Sequence, residues 1–478
     1  MSRFRAIAHN TLLQITSRVI GVGLNVVVFS MLARYLSPKG FGEFSIVIAF
    51  VQIFASLAEL GLSIIAMQFL SEHNRKNQTR DFQILFTLRV ICAALILFCG
   101  SLTAWFFPYS QELKIGIAII AISFFISSLS QFISLLYQVR LSMGIPFLAD
   151  LAAKIILIVG IPILFTKQGS LLGVFIIVVI NNLVQLCILI FHAKTFFPLT
   201  FAWDKAIIRE TFFRCWPLAL STLFTLLYFK MDTVILSLFT SSYNVGLYGA
   251  AYRVLEVLIG FPVLFIGLVF PFLSKSWSSG NRKEFFIHYQ KVFDFICLLS
   301  FPLLIGTLFT AREVMVFISG DDFLQSGTIL MILIVGAFFI FFGSLYTTLI
   351  PILNQQRKML IGSMIAAVSG IAVYFYTIPL YSYWGAAWTT VALEFFITVC
   401  AVSIVTWKTK MIPSFGTAGK ILFSSLFMGL FLYAFPALHI IGKIGMAVGV
   451  YTSTLILLGV ISKKMLQEIS SFKKLPSL

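Results

Sequence analysis

Six basic residues stand inside long apolar stretches of this 478-residue chain, where a charge is costly without a polar partner or an aqueous cavity, and three of them have no simple explanation. These three are Arg18, Lys230 and Arg253. A guanidinium holds phosphate oxygens with two parallel hydrogen bonds, and a lysine attracts them as a point charge. These residues predict a cationic lumen suited to phosphate oxygens. The alternative is structural ion pairing, of Arg253 with Glu256 and of Lys230 with Asp232.

Glu59 and Glu394 are acidic residues inside apolar stretches, and each is a candidate site for a coupling proton. Burial disfavours the charged form of a carboxyl group, so such a group can take up and release a proton during a transport cycle. For Glu59 and Glu394 the alternative is a protonated carboxyl in the protein core.

Other charges in these stretches have simpler explanations. Asp150 and Lys154 are four residues apart, which predicts a self-neutralising pair on one helix face. Arg89 and Lys420 lie near predicted helix ends, and we expect their side chains to extend to the membrane surface.

Sequence motifs of enzymes and metal sites are missing. The segment around Gly416 and Lys420 has the wrong spacing for a P-loop, and there is no His-Glu-x-x-His or Gly-x-Ser-x-Gly. The six cysteines are scattered and form no Cys-x-x-Cys pair. We therefore expect a protein that is not an enzyme, with no cofactor and no metal.

The elements that carry these residues are membrane helices. Apolar residues make up 60% of the chain and charged residues 11%, against about 25% in soluble proteins. The net charge of +17 lies in short gaps between apolar runs, so we expect contact with membrane lipids and no nucleic acid. A span takes about 20 residues, which predicts an all-α protein with about fourteen spans, at 12–34, 43–69, 83–107, 115–137, 147–166, 170–191, 212–239, 245–273, 288–309, 327–352, 359–380, 384–407, 418–436 and 441–461.

The basic residues also predict the orientation of these spans. With a cytoplasmic N-terminus, 22 lysines and arginines fall in cytoplasmic segments and 6 in outer segments. Such a bias marks the cytoplasmic side. Both termini are therefore expected in the cytoplasm.

A weak internal repeat places residues 36–44 over residues 240–248. Both segments join a first helix to a second, and both have a glycine followed by an aromatic residue where the second helix starts. The repeat predicts two parallel, pseudo-symmetric lobes of six helices with two further helices at the C-terminus. The corresponding domains are residues 1–200, 201–410 and 411–478.

The two repeated segments also resemble a known family. Residues 33–42 and 245–253 are similar to loop and helix motifs of the polysaccharide transporters in the multidrug/oligosaccharidyl-lipid/polysaccharide (MOP) exporter superfamily, with Arg34, Pro38, Gly42, Gly246 and Tyr248 as the motif residues. The O-antigen and exopolysaccharide flippases are the nearest branch.

This resemblance implies a MOP/MATE-like fold in the bacterial inner membrane. It implies alternating access that moves an undecaprenyl-diphosphate-linked oligosaccharide from the cytoplasmic to the periplasmic leaflet. It also implies a gradient of H⁺ or Na⁺ that drives the cycle, with the coupling ion bound at Glu59, Asp232, Glu256 or Glu394. Arg18, Lys230 and Arg253 would then contact the diphosphate or an anionic glycan. We expect a monomer that cooperates with polysaccharide polymerase or export machinery.

Three alternatives remain open at this stage. A lipid II flippase, which handles the peptidoglycan precursor, would also have a cationic cleft. A multidrug cation antiporter would have an acidic or aromatic lumen. A membrane glycosyltransferase or polymerase would need a sizeable outer loop, and the outer acidic cluster of Glu313, Asp321 and Asp322 sits on a short connector.

Overall fold

A computed structural model describes residues 3–59, 61–71, 78–140, 142–436 and 438–460 of the chain; it leaves out the side chains of 3–19, 71, 214, 216–223, 225–228 and 264. These residues form helices and connecting turns, with no strand among them. The helices are α1 (Arg3–Glu59), α2 (Leu62–Ser71), α3 (Gln78–Thr103), α4 (Gln111–Val139), α5 (Gly144–Thr166), α6 (Leu171–Ala193), α7 (Lys205–Phe239), α8 (Ser242–Ser278), α9 (Arg282–Ser319), α10 (Leu324–Ile352), α11 (Gln356–Thr409), α12 (Gly416–Ala434) and α13 (Ile440–Leu457).

The predicted number of spans agrees with these helices. In the described part of the chain, 11 helical stretches are long and apolar enough to cross a membrane. Two of them, of 51 and 54 residues, are each long enough for two crossings at about 20 residues per crossing. Helix α7, with 35 residues, is long enough for one more. By length alone, the described helices have room for the fourteen crossings that the sequence predicts.

The two longest helices each turn at a serine. Ser37 in α1 has φ 51° and ψ 175°, and Ser382 in α11 has φ 52° and ψ −135°. Both lie in the left-handed half of backbone space, which residues other than glycine adopt at a cost. Pro38 follows Ser37 and cannot donate a helical hydrogen bond, so a new helix begins there.

Polar caps explain where several other helices begin. The Asp204 carboxylate accepts a hydrogen bond from the backbone N–H of Ala206 at 2.9 Å at the start of α7. At the start of α9, Asn281 accepts from the backbone N–H of Glu284 at 3.2 Å, and its amide donates to the Glu284 carboxylate at 2.9 Å. These bonds satisfy N–H groups that have no partner within the first turn.

The chain divides into two compact units. Unit 1 comprises Met1–Gly249 and Ala367–Tyr383, and unit 2 comprises Ala250–Ala366 and Trp384–Leu478. The core of unit 1 is built on packed aromatic rings such as Phe82 and Phe132, whose centroids are 5.0 Å apart.

The core of unit 2 contains a buried pair of tyrosines, Tyr289 and Tyr346, whose hydroxyls are 3.0 Å apart. In the same unit α12 and α13 pack on α9, through a small apolar cluster of Ile305, Met428, Leu432 and Ala447. The last two helices of the chain are thus held by apolar contacts to the helix that begins at Arg282.

The repeated segments meet each other within unit 1. A Cβ atom on Gly42 would overlap the carbonyl oxygen of Ser242, and one on Gly246 would overlap the carbonyl oxygen of Pro38. The predicted repeat places Pro38 over Ser242 and Gly42 over Gly246, so the two contacts are reciprocal. Only glycine allows backbones to approach this closely, which explains both glycines of the family motif.

Candidate functional site

A polar pocket of about 330 Å³ opens in unit 1 between α1, α4, α5 and α6. We call it the carboxamide pocket, because five of its lining residues are asparagine or glutamine. Its lining consists of Asn25, Ser127, Ser130, Gln131, Ser134, Asp150, Lys154, Leu157, Asn181, Asn182 and Gln185. The pocket is lined by helices whose composition is otherwise strongly apolar.

Hydrogen bonds between neighbouring helices hold one wall of the carboxamide pocket. The Asn182 amide on α6 donates to the hydroxyl of Ser123 on α4 at 2.7 Å and to its carbonyl oxygen at 3.2 Å. Ser123 is buried. Because this pair ties α6 to α4, the neighbouring Asn181 and Gln185 are carried on a fixed helix face.

An ion pair forms another part of the wall. The Lys154 amino group lies 2.8 Å from the Asp150 carboxylate and donates to the carbonyl oxygen of Gly21 at 3.3 Å. The predicted self-neutralising pair is therefore confirmed, and it contributes no net charge to the pocket. Gly21 leaves the space for this contact, since a Cβ there would come within 3.0 Å of the amino nitrogen.

Two lining amides have hydrogen-bonding capacity to spare. Within the described part of the chain, no hydrogen bond reaches the side chains of Asn25 and Gln185. Asn25 is exposed and Gln185 is half-buried. Both amides can therefore donate to and accept from a bound molecule.

The predicted ion-coupling residue Glu59 is paired in the structure. Its carboxylate lies 2.5 Å from the guanidinium of Arg89, which also donates to the carbonyl oxygen of Ala58 at 3.2 Å. Arg89 is 1% exposed, so the prediction that it extends to the membrane surface is wrong. It instead binds the carboxyl end of the helical segment that finishes at Glu59, where free carbonyl groups attract a positive charge. Lys420 is exposed and donates to the carbonyl oxygen of Leu458.

Asp232 is also satisfied by neighbours in unit 1. Its carboxylate accepts from the Tyr248 hydroxyl at 2.6 Å, from the Thr233 backbone N–H at 2.5 Å and from the Thr233 hydroxyl at 3.2 Å. Asp232 is 1% exposed. The motif residue Tyr248 thus links α8 to the buried carboxylate of α7. Lys230, two positions away, is half-buried.

The basic residue of unit 2 pairs along its own helix. The Arg253 guanidinium lies 2.8 Å from the Glu256 carboxylate, so the structural pairing considered for this residue is confirmed. Half of the Arg253 side chain remains exposed. Since a guanidinium has five N–H donors, this ion pair leaves donors for another anion.

Glu394 differs from the other acidic candidates. It is 4% exposed on the second half of α11, in unit 2. No hydrogen bond or ion pair reaches its side chain from the described residues. One turn later the Thr398 hydroxyl donates to the carbonyl oxygen of Phe339 at 2.9 Å.

The structure distributes the predicted cationic residues over both units. Lys230 lies in unit 1 and Arg253 in unit 2. The side chain of Arg18 lies outside the described residues. The cationic lumen therefore stays a prediction. The carboxamide pocket was missed because only charged residues were considered, although the adjacent Asn181 and Asn182 in an apolar span were a visible signal.

Known structures share this arrangement of helices. The chain is similar to the lipid II flippase MurJ in an inward closed conformation, with a TM-score of 0.76 over 94% of this chain and 99% of that one, at 17% identity. It is similar to an inward-facing multidrug resistance MATE family transporter of the MOP superfamily, with a TM-score of 0.66 over 81% and 93% of the two chains, at 13% identity. A MOP superfamily transporter from Pyrococcus furiosus Vc1 gives a TM-score of 0.56 over 83% and 95%, at 14% identity.

These likenesses define the class: a multi-pass α-helical membrane protein with the fold of MOP superfamily transporters, as the sequence predicts. A family model described as polysaccharide biosynthesis protein matches residues 7–277, which is more than half of the chain. The chain therefore belongs to the polysaccharide biosynthesis protein family. A search of curated proteins found no match.

Proposed function

We propose that this protein is a flippase that moves an undecaprenyl-diphosphate-linked oligosaccharide, such as an O-antigen or exopolysaccharide repeat unit, from the cytoplasmic to the periplasmic leaflet. The observation that carries the proposal is a combination of family and fold. A chain of the polysaccharide biosynthesis family shares the fold of a lipid II flippase along nearly its whole length. The polar residues within its spans can form hydrogen bonds and ion pairs with such a substrate.

Binding of the diphosphate is assigned to Arg18, Lys230 and Arg253. The half-exposed guanidinium of Arg253 supports this role, because it keeps free donors beside its Glu256 partner. An arginine fork matches the geometry of phosphate oxygens better than a lysine does. Arg253→Lys should therefore retain less activity than charge alone would predict.

Coupling to H⁺ or Na⁺ is assigned first to Glu394. Glu59 and Glu256 are held in ion pairs and Asp232 by a tyrosine and a threonine, whereas no described group satisfies Glu394. A buried carboxyl without a fixed partner changes its protonation state with less disturbance of its surroundings than a paired one.

A lipid II flippase is the second candidate, favoured by the similarity to MurJ. Both candidates place the protein in the bacterial inner membrane with cytoplasmic termini, acting as a monomer beside glycan-processing machinery. A multidrug cation antiporter is the third, favoured by the MATE structures, but five carboxamides line the carboxamide pocket and its one acidic residue, Asp150, is paired with Lys154.

Reconstitution into liposomes tests the proposal. Purified protein should move a fluorescent undecaprenyl-diphosphate oligosaccharide between leaflets faster than it moves lipid II. Arg18→Ala and Arg253→Ala should abolish this movement while the amount of folded protein stays normal. Faster movement of lipid II would favour the second candidate, and uptake of a cationic dye without lipid movement would favour the third.

A further inference from the structure

The carboxamide pocket carries an inference beyond the diphosphate. We propose that it binds a neutral, hydroxyl-rich sugar residue of the glycan that the lipid carries. This inference rests on the proposed flippase function, and it assigns glycan recognition to residues other than the basic ones.

The location of the amides is the first argument. Asn25 and Gln131 are exposed on membrane-spanning helices, and Asn181 and Gln185 are half-buried. A polar side chain that faces hydrocarbon loses its hydrogen bonds, which is unfavourable unless another polar group replaces them. The clustering of such side chains around one cavity indicates that they face water or a polar ligand.

The organisation of the pocket is the second argument. One side is fixed by the Asn182–Ser123 bonds and by the Lys154 contacts to Asp150 and Gly21. The same helices α1 and α6 carry Asn25 and Gln185, whose amides receive no hydrogen bond from the described residues. A fixed framework that carries available donors and acceptors is typical of a small-molecule site.

The charges that line the pocket favour a neutral ligand over an anion or a cation. Its two charged residues neutralise each other at 2.8 Å, so an anion would meet Asp150 and a cation would meet Lys154. No aromatic ring or further ionisable group lines it. A carboxamide offers a donor and an acceptor side by side, which suits neighbouring sugar hydroxyls that are both. A neutral sugar fits this lining better than a diphosphate or a cationic drug.

The size of the pocket limits how much of the glycan it holds. A volume of about 330 Å³ is near the lower end of the range for small-molecule sites, about 300–1,000 Å³. Only a small part of an oligosaccharide fits. The rest of the glycan makes no contact with the pocket, so the pocket would recognise one position of the repeat unit.

Equilibrium binding to the purified full-length protein tests the inference. The probes are a polyprenyl diphosphate that carries a neutral disaccharide and the same lipid without sugar. The variant Asn25→Leu/Gln185→Leu should bind the glycosylated lipid about thirtyfold more weakly, because it loses two hydrogen bonds that together contribute about 2 kcal/mol. Its affinity for the bare lipid should stay within about twofold.

Gln83→Leu is the matched control, because it removes a carboxamide of unit 1 that lies outside the pocket and bonds to the carbonyl oxygen of Pro198. It should bind both lipids like the wild type. If the double variant does not fold, Asn25→Ser replaces it, because Asn25 is exposed and little packing is lost.

Three results would overturn the inference while the flippase function stands: equal affinity of the wild type for both lipids, equal weakening of both lipids by the double variant, or no weakening at all. A sodium-dependent rise in thermal stability that the double variant loses would instead identify an ion site. A wild type that neither binds nor moves any of the lipids would contradict the proposed function itself.

Discussion

Asn181 on α6 and Glu394 on α11 occupy equivalent places in the two halves of the chain. Helix α10 begins and ends 213 residues after α4, and the same interval carries Asn181 to Glu394 and Gln185 to Thr398. In unit 1 the position is a carboxamide that lines a polar pocket. In unit 2 it is a carboxyl group that is 4% exposed.

The difference shows how a repeat can keep its helices and change its chemistry. Both halves retain the glycines of the reciprocal backbone contact, because that contact tolerates no side chain. A side-chain hydrogen bond also links distant segments near each of these contacts. The Tyr35 hydroxyl donates to the carbonyl oxygen of Gly169, and the Asn244 amide donates to the Ser382 hydroxyl. The interior polar residues have diverged: the first half has carboxamides around a pocket and the second has a buried carboxyl group, and the different roles proposed for the two halves rest on this difference.

Substitutions at the reciprocal contact of Gly42 and Gly246 should reduce stability more than any other change considered below. Gly42→Val and Gly246→Val each place a side chain against a backbone carbonyl, which cannot move as a side chain can. We expect each to destabilise the protein by about 3 kcal/mol or more, with little folded protein recovered. Size-exclusion profiles and thermal unfolding in detergent measure this.

Gly23→Val is the control for these variants, because no atom lies within 4 Å of the position its Cβ would take. It should unfold near the wild-type temperature. Tolerance of valine at one glycine and not at the other would show that the two halves do not share the contact equally.

Arg89 and Arg253 each form an ion pair, and the loss of the more buried pair should destabilise the protein more. Arg89→Met leaves Glu59 without its partner and the carbonyl group of Ala58 without its donor, which should cost about 2 kcal/mol, given that Glu59 is 30% exposed. Arg253→Met breaks a half-exposed pair and should cost less than about 1 kcal/mol.

Thermal unfolding of the two variants makes this comparison. Arg89→Met should therefore cost more stability than Arg253→Met. In a transport assay Arg253→Met should have the larger effect, because it should abolish lipid movement by a protein that stays folded. Equal stability losses for both variants would contradict the assignment of Arg89 to structure and of Arg253 to substrate.

The equivalent residues Asn181 and Glu394 should differ in their response to a proton gradient. A gradient of about one pH unit is worth about 1.4 kcal/mol for each proton, which allows about a tenfold accumulation of lipid in one leaflet. Glu394→Gln should reduce this ratio to about one, and Asn181→Ala should leave it near tenfold. Liposomes with an imposed pH gradient measure the ratio, and an unchanged ratio for Glu394→Gln removes it as the coupling residue.

The smallest effect is expected from the neutral pair in the carboxamide pocket. Asp150→Asn leaves the Lys154 ammonium without its counter-charge, so the pocket gains one positive charge. Affinity for bare polyprenyl diphosphate should rise about threefold, in keeping with the modest energy of partly exposed charge pairs. Glu112→Gln, an exposed change in the first turn of α4, is the control. A fall in affinity for the bare lipid would show that Asp150 does not repel an anion.

The membrane helices are easier to predict from the sequence than the residues of the candidate site. The spans follow from hydropathy because lipid forces every backbone group into helical hydrogen bonds. The pairing of Asp150 with Lys154 and of Arg253 with Glu256 was predictable, since both pairs are local on one helix. The reciprocal place of Gly42 and Gly246 was implied by the weak repeat.

Contacts between distant parts of the chain were beyond sequence reasoning. Arg89 reaches Glu59 over 30 residues, and nothing in its position near a predicted helix end distinguishes it from an arginine at the membrane surface. The carboxamide pocket gathers residues from four helices between Asn25 and Gln185. Each amide is separated in sequence from most of the others, so their convergence appears only when the helices are packed.

The most direct test of the account is the initial rate of leaflet exchange in liposomes for the same polyprenyl diphosphate with and without its oligosaccharide. The account predicts that the wild type moves the glycosylated lipid faster, and that Asn25→Leu/Gln185→Leu removes this preference while Gln83→Leu keeps it. Exchange of both lipids at the rate of protein-free liposomes would contradict it.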